Sequence, residues 1–144
     1  MIQSPTILIE KLESYGITGK VLKWIESFLT GRTQRVSVKG TLSDPLPVWS
    51  GIPQGSVLGP ILFLICINDL LEEIQSSGKL FADDSKLFRR IKSLHDRNIL
   101  QQDLMKLQEW SKKWLLKFND SKCKVMHLGR NNPEYDYYMN NHAL

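Results

Sequence analysis

Apolar residues recur at helical spacing from the start of the chain. Ser4-Pro5 fits an N-cap followed by proline in the first turn, Ile7, Leu8, Lys11, Leu12 and Tyr15 continue the pattern, and Gly16 stops it. A second helix is predicted from Thr18, with Val21, Leu22, Ile25, Phe28 and Leu29 on one face and Gly31 past its end. The period then changes. Gln34 to Lys39 alternates, Val36 and Val38 opposing Arg35, Ser37 and Lys39, which predicts a half-buried strand. Gly40 to Pro45 turns the chain, and Leu46 to Ser50 returns as a strand in which Pro47 favours an edge. Next comes a helix over Val57–Ser76, with Pro60 in its first turn. A hairpin is predicted around Asp83-Asp84, and a long amphipathic helix from Ser93 to Leu116 carries Leu100, Leu104, Leu107, Trp110 and Trp114. Lys122 to Leu128 reads as a last strand, and Gly129 to Leu144 as loop or frayed terminus. The sum is an α+β chain without internal repeats.

Composition narrows the class. With 144 residues, 42% of them hydrophobic, the chain is the size of one domain and can bury a core, which excludes wholesale disorder. The longest apolar run, Ile61 to Ile67, falls far short of the ~20 residues that cross a bilayer and reads as a buried core helix, so no membrane partner is expected. Met1-Ile2-Gln3-Ser4-Pro5 lacks the pattern of a secretory leader, and an intracellular setting, nuclear or cytoplasmic, is expected. Cys66 and Cys123 make neither a disulfide framework nor a metal spacing. A net charge of +4 permits nucleic-acid binding without requiring it.

Phe81-Ala82-Asp83-Asp84 places two adjacent carboxylates at a predicted tight turn. Like charges repel, so such a pair is costly to hold unless a cation sits beside it. A divalent metal is the natural candidate, because hard ions such as Mg²⁺ take oxygen ligands and keep positions open for phosphate, as nucleotidyl transfer by two metals needs. Asp is also a common turn former, and for these four residues taken alone a solvated hairpin corner is the simpler explanation. A second motif, Gly51-Ile52-Pro53-Gln54-Gly55-Ser56, combines a fixed proline torsion with two glycines that free the backbone for close approach to a ligand. Its alternative is a turn that merely feeds a helix. Lys112, Lys113, Lys117, Lys122 and Lys124 form a basic stretch that reads as a solvated face. Trp110 and Trp114 continue an apolar stripe and fit a core better than a base-stacking platform. His127 and His142 receive no role, since a lone histidine is usually structural or exposed.

Gly51 to Phe63 (GIPQGSVLGPILF) and Phe81-Ala82-Asp83-Asp84, in that order, resemble the reverse transcriptase of non-long-terminal-repeat retrotransposons of the LINE and jockey-like type. The resemblance runs from about Pro5 to Gly129 and takes in Tyr15-Gly16-Ile17, Trp24-Ile25, Phe28-Leu29, Trp110, Trp114, Asn119, Lys122 and Cys123. It implies part of the palm of a right-hand polymerase, a small antiparallel sheet packed on helices, over residues 1–129, with 130–144 outside it. By the same resemblance Asp83 is the metal ligand, Asp84 its neighbour with a lesser role, and Pro53, Gln54, Gly55 and Ser56 face nucleotide and template. Lys122 matches a lysine near the triphosphate that can protonate pyrophosphate. The implied cofactor is Mg²⁺ in a two-metal site; the implied partners are an RNA template, a DNA primer and deoxynucleotide triphosphates.

The chain departs from the family at one point that matters. A further Asp is expected on a palm strand ahead of this region, yet the first Asp is Asp44, and Glu10, Glu13 and Glu26 fall on predicted helices. The first catalytic strand, the fingers and the thumb are therefore expected to be absent. What remains is expected to be a fragment of an RNA-directed DNA polymerase that is catalytically incompetent alone, holds metal weakly, and self-associates through an exposed sheet edge. The alternative is a non-catalytic nucleic-acid-binding or polymerase-docking module derived from the same palm.

Overall fold

A computed structural model describes residues 5–53 and 55–144. The chain divides into two compact units, Met1–Ile67 and Asn68–Leu144.

The first unit is built on three helices, α1 (Pro5–Ser14), α2 (Gly19–Leu29) and α3 (Leu58–Ile67). Their apolar stripes supply Leu8, Leu12, Leu22, Ile25, Leu29, Leu62 and Cys66 to the interior, and α1 packs against both α2 and α3. Gly16 and Gly31 follow the first two helices with φ of 81° and 64°, a backbone that side-chain-bearing residues avoid. The Ser4 cap lies outside the described residues. Lys11 is 1% exposed, and its ammonium donates to the carbonyl of Cys66 in the last turn of α3, where a cation suits the negative helix end.

Between α2 and α3 runs a ribbon of short strands, β1 (Thr33–Gln34), β2 (Ser37–Val38), β3 (Thr41–Leu42) and β4 (Leu46–Pro47). It pairs antiparallel, Thr33 with Pro47 and Val38 with Thr41, around a Lys39-Gly40 turn in which both residues have positive φ. The predicted half-buried strand is not half-buried: Val36 and Val38 are 65% and 62% exposed, because a two-stranded ribbon gains an inner face only when something packs on it. The apolar run of α3 also departs from expectation. Leu62, Cys66 and Ile67 are buried, while Ile61 and Leu64 lie exposed on the other side of the helix. Nor does α3 reach Ser76. It ends at Ile67, where Asn68 and Asp69 offer the backbone side-chain alternatives to helix, and Glu72 N closes a turn on Asp69 O at 3.2 Å.

The second unit contains the hairpin β5 (Ser77–Phe81) and β6 (Asp84–Phe88), the long helix α4 (Leu94–Lys113), a 3₁₀ turn at Asp120–Lys122, and a closing hairpin β7 (Tyr138–Met139) and β8 (His142–Ala143). Leu70, Leu107 and Met139 form its buried centre, with Leu71, Ile74, Leu80, Leu87, Trp110 and Phe118 around them. Trp110 donates Nε1–H to Asp69 Oδ1 at 2.9 Å, so this tryptophan serves the core. Helix α4 begins as its sequence dictates: Ser93 Oγ caps Asp96 N, and the Asp96 carboxylate accepts in return from Ser93 Oγ and Lys92 N.

Two expectations for the end of the chain are corrected. No strand forms over Lys122–Leu128. The residues from Lys122 to Met126 do alternate outward and inward, but no described strand pairs with them, and an unpaired extended segment is not a sheet. Beyond Gly129 the chain is not all loop. Asn140 and Asn141, at φ of 50° and 61°, turn β7 into β8, and Tyr137 and Met139 are buried. Gln101 on α4 acts as a substitute strand, its amide donating to Tyr138 O at 2.8 Å and accepting from Tyr138 N at 2.9 Å. Among the described residues all four sheets are antiparallel and two-stranded, and no helix is long and apolar enough to cross a membrane.

Candidate functional site

Asp83 and Asp84 occupy the corner of the β5–β6 hairpin. The register pairs Phe81 with Asp84, leaving Ala82-Asp83 as a two-residue turn with Asp84 opening the return strand. Ala82 has a φ of 51°, a value usually taken there by Gly, Asn or Asp, so the turn carries backbone strain at the residue that precedes the acids. Both carboxylates are exposed, and no hydrogen bond or ion pair engages either of them among the described residues.

The hairpin is fastened at its base. The Asp103 carboxylate, 1% exposed on α4, accepts from Gln75 N at 2.9 Å and Ser76 N at 2.7 Å, immediately ahead of β5. A buried charge of this kind is tolerable because two backbone N–H groups meet it. Gly78 lets Leu71 lie against the strand, where a Cβ would stand 2.7 Å from Leu71 Cδ1. Sequence patterning alone passes over Asp103, since an Asp within an apolar helix face reads as an interruption of that face.

The second predicted element, Gly51–Ser56, belongs to the first unit. Gly51 and Gly55 have φ of 80° and 79°, as expected of glycines that turn a backbone. Ser56 Oγ donates to Pro53 O at 2.8 Å and accepts from Gly59 N at 3.0 Å, joining the loop to the first turn of α3. Gly59 is needed for that fit, because a Cβ there would lie 2.9 Å from Ser56 Oγ and 3.2 Å from Pro53 O. Gln54, the remaining residue expected to face nucleotide and template, lies outside the described residues. On the other side of the loop, Arg32 donates to Leu29 O, Ser50 O and Gly51 O. Sequence reading misses Arg32; its signal is a lone arginine directly after the Gly31 helix stop.

Lys122 is exposed at the end of the 3₁₀ turn, and no hydrogen bond or ion pair joins it to Asp83 or Asp84 among the described residues. Its neighbour Cys123 is a free thiol that burial, and secondarily Asp120, pushes above the ordinary cysteine range, so it stays protonated. Among the described residues no group of three or more His, Cys, Asp or Glu converges as metal ligands. Asp83 and Asp84 nevertheless fit a hydrated Mg²⁺, an ion that takes one or two carboxylates and completes its shell with water and phosphate oxygens. They are too few for a closed cage.

Comparison with known proteins agrees with these motifs. Residues 4–139 match the family described as Reverse transcriptase (RNA-dependent DNA polymerase). The chain is 36% identical over 108 residues to the RNA-directed DNA polymerase from mobile element jockey of Drosophila melanogaster, covering 69% of this chain and 12% of that protein. It is 30% identical over 116 residues to the jockey polymerase of Drosophila funebris, covering 74% of this chain and 13% of that one. It is 33% identical over 104 residues to the probable RNA-directed DNA polymerase from transposon X-element of Drosophila melanogaster, covering 68% and 12%. No solved structure matches. The chain belongs to the reverse transcriptase family, in its jockey-like, non-long-terminal-repeat branch.

Proposed function

We propose, from membership of the reverse transcriptase family, that this chain is part of the palm of a retrotransposon RNA-directed DNA polymerase, with Asp83 and Asp84 at its metal-binding corner. The observation that carries the proposal is the β5–β6 turn itself, which presents both carboxylates outward on a hairpin anchored by Asp103. Asp83 is the principal oxygen ligand and Asp84 the lesser one. When bound, Mg²⁺ supplies charge stabilisation for the attack of a primer 3′ hydroxyl on an α-phosphate. Pro53, Gln54, Gly55 and Ser56 form the surface against the incoming nucleotide and template, and glycine lets that backbone approach a base pair without an intervening side chain. Lys122 contributes positive charge toward the triphosphate and holds a proton for the leaving pyrophosphate.

The chain spans about 12% of the length of the jockey polymerase it resembles, and two carboxylates repay little of the cost of stripping water from a small divalent ion. The 144-residue polypeptide assayed by itself is therefore expected to show no primer extension on an RNA template with Mg²⁺ or Mn²⁺. Processive DNA synthesis by the purified chain would contradict this. A second reading, a nucleic-acid-binding module without chemistry, is favoured by the exposure of Lys112, Lys113, Lys117, Lys122 and Lys124. That module would bind template–primer with an affinity that falls steeply as salt rises, because each phosphate contact releases counterions.

A further inference from the structure

No backbone ladder forms among the described residues of the Gly51–Ser56 loop, and hydrogen bonds hold it at its two flanks. Ser56 secures one flank through Pro53 O and Gly59 N. Arg32 secures the other. Its Nε donates to Leu29 O at 2.8 Å, and one terminal nitrogen donates to Gly51 O at 2.6 Å and Ser50 O at 3.4 Å. One planar guanidinium thus joins the last carbonyl of α2, where the helix dipole favours a cation, to the two carbonyls from which the loop departs. The Arg32 carbonyl in turn accepts from Val48 N at 2.9 Å, so main chain and side chain hold the same junction. Arg32 makes no ion pair with a described carboxylate, and its hydrogen bonds go to carbonyl oxygens. Gly51 sits at a φ of 80°, where the peptide plane has wide freedom unless something fixes its carbonyl.

We propose that Arg32 is a positioning residue for the glycine-proline loop: its guanidinium fixes the peptide planes at Ser50 and Gly51 and thereby the path of the segment that follows. The consequence for polymerisation rests on the proposal that this loop faces nucleotide and template. Lysine cannot replace arginine here, because a single ammonium on a flexible stem does not offer a rigid fork to carbonyls on two separate segments.

Hydrogen–deuterium exchange on the full chain tests this, comparing Arg32→Ala and Arg32→Lys with the unsubstituted protein, each with and without millimolar methylguanidinium. Amides from Val48 to Gly59 are expected to exchange about tenfold faster in both variants, the effect of losing a charge-assisted hydrogen bond, while the α1 and β5–β6 amides hold their rates. Methylguanidinium is expected to restore protection in Arg32→Ala only. Unchanged exchange from Val48 to Gly59, or an equal rise throughout residues 5–67, overturns the proposal. If Arg32→Ala does not fold, the exchange rates of Arg32→Lys decide between the same two outcomes. Template–primer affinity, measured alongside, is expected to fall with both variants and to recover with methylguanidinium in Arg32→Ala only. If the unsubstituted chain binds no template–primer, the polymerase reading of the loop fails, while the exchange result still decides the role of Arg32.

Discussion

Asp103 fastens the base of the hairpin that carries Asp83 and Asp84 from a separate helix, α4. Its carboxylate is out of water and holds two backbone N–H groups ahead of β5, so truncation takes the acceptor from both and leaves the Ser76 donor buried. Asp103→Ala is expected to destabilise the second unit by about 3 kcal/mol, read as a shift in the urea midpoint of its cooperative transition. A change below about 0.5 kcal/mol would show that the anchor is dispensable. At this scale the sequence exposed the residues that turn the chain, such as Gly16, Gly31 and the Asp83-Asp84 corner, because each states its backbone requirement locally. It concealed Asp103 and Arg32, whose partners are backbone groups at Gln75, Ser76, Ser50 and Gly51 that carry no side-chain signature.

Among the elements, helices were the most legible, since their spacing and caps lie within one segment. Ser93 and Asp96 mark the start of α4, and Asp96 also gives it a dependence on acid. The Ser93 hydroxyl first, then Lys92 N–H and more weakly Arg89, hold the Asp96 carboxyl below its ordinary value of 3.8. A carboxyl lowered by folding contributes stability that is full above 3.8 and is lost as pH falls through the lower folded value. The amides of the first turn of α4 are therefore expected to lose protection on acidification in that window. Asp96→Asn should remove the pH dependence, and an identical acid response in that variant would contradict it. Strands were less legible because each needs a partner. Lys122–Met126 has the alternation and lacks a described partner, whereas β7 was missed because it is two residues long, and beside its short partner β8 it is held by the side-chain amide of Gln101. The Asn140-Asn141 pair was the available signal for that hairpin.

For the whole chain, helices with small antiparallel sheets and an exposed sheet edge were expected from the sequence, whereas the division into two units and the exposure of the predicted half-buried strand were not. Val36, Val38, Leu42, Leu46 and Trp49 are exposed on the β1–β4 ribbon and the segment that follows it, and a two-stranded ribbon leaves unpaired edges. The purified chain is expected to self-associate, its sedimentation coefficient rising with concentration; a monomer throughout would contradict this. If the acidic turn holds a divalent ion as proposed, titration of the isotopically labelled chain with Mn²⁺ reveals it as paramagnetic broadening of backbone amides. Selective broadening centred on Ala82 to Ser85 at about millimolar metal, abolished by Asp83→Asn, is the predicted result. Uniform broadening, or broadening confined to residues remote from the turn, would contradict it.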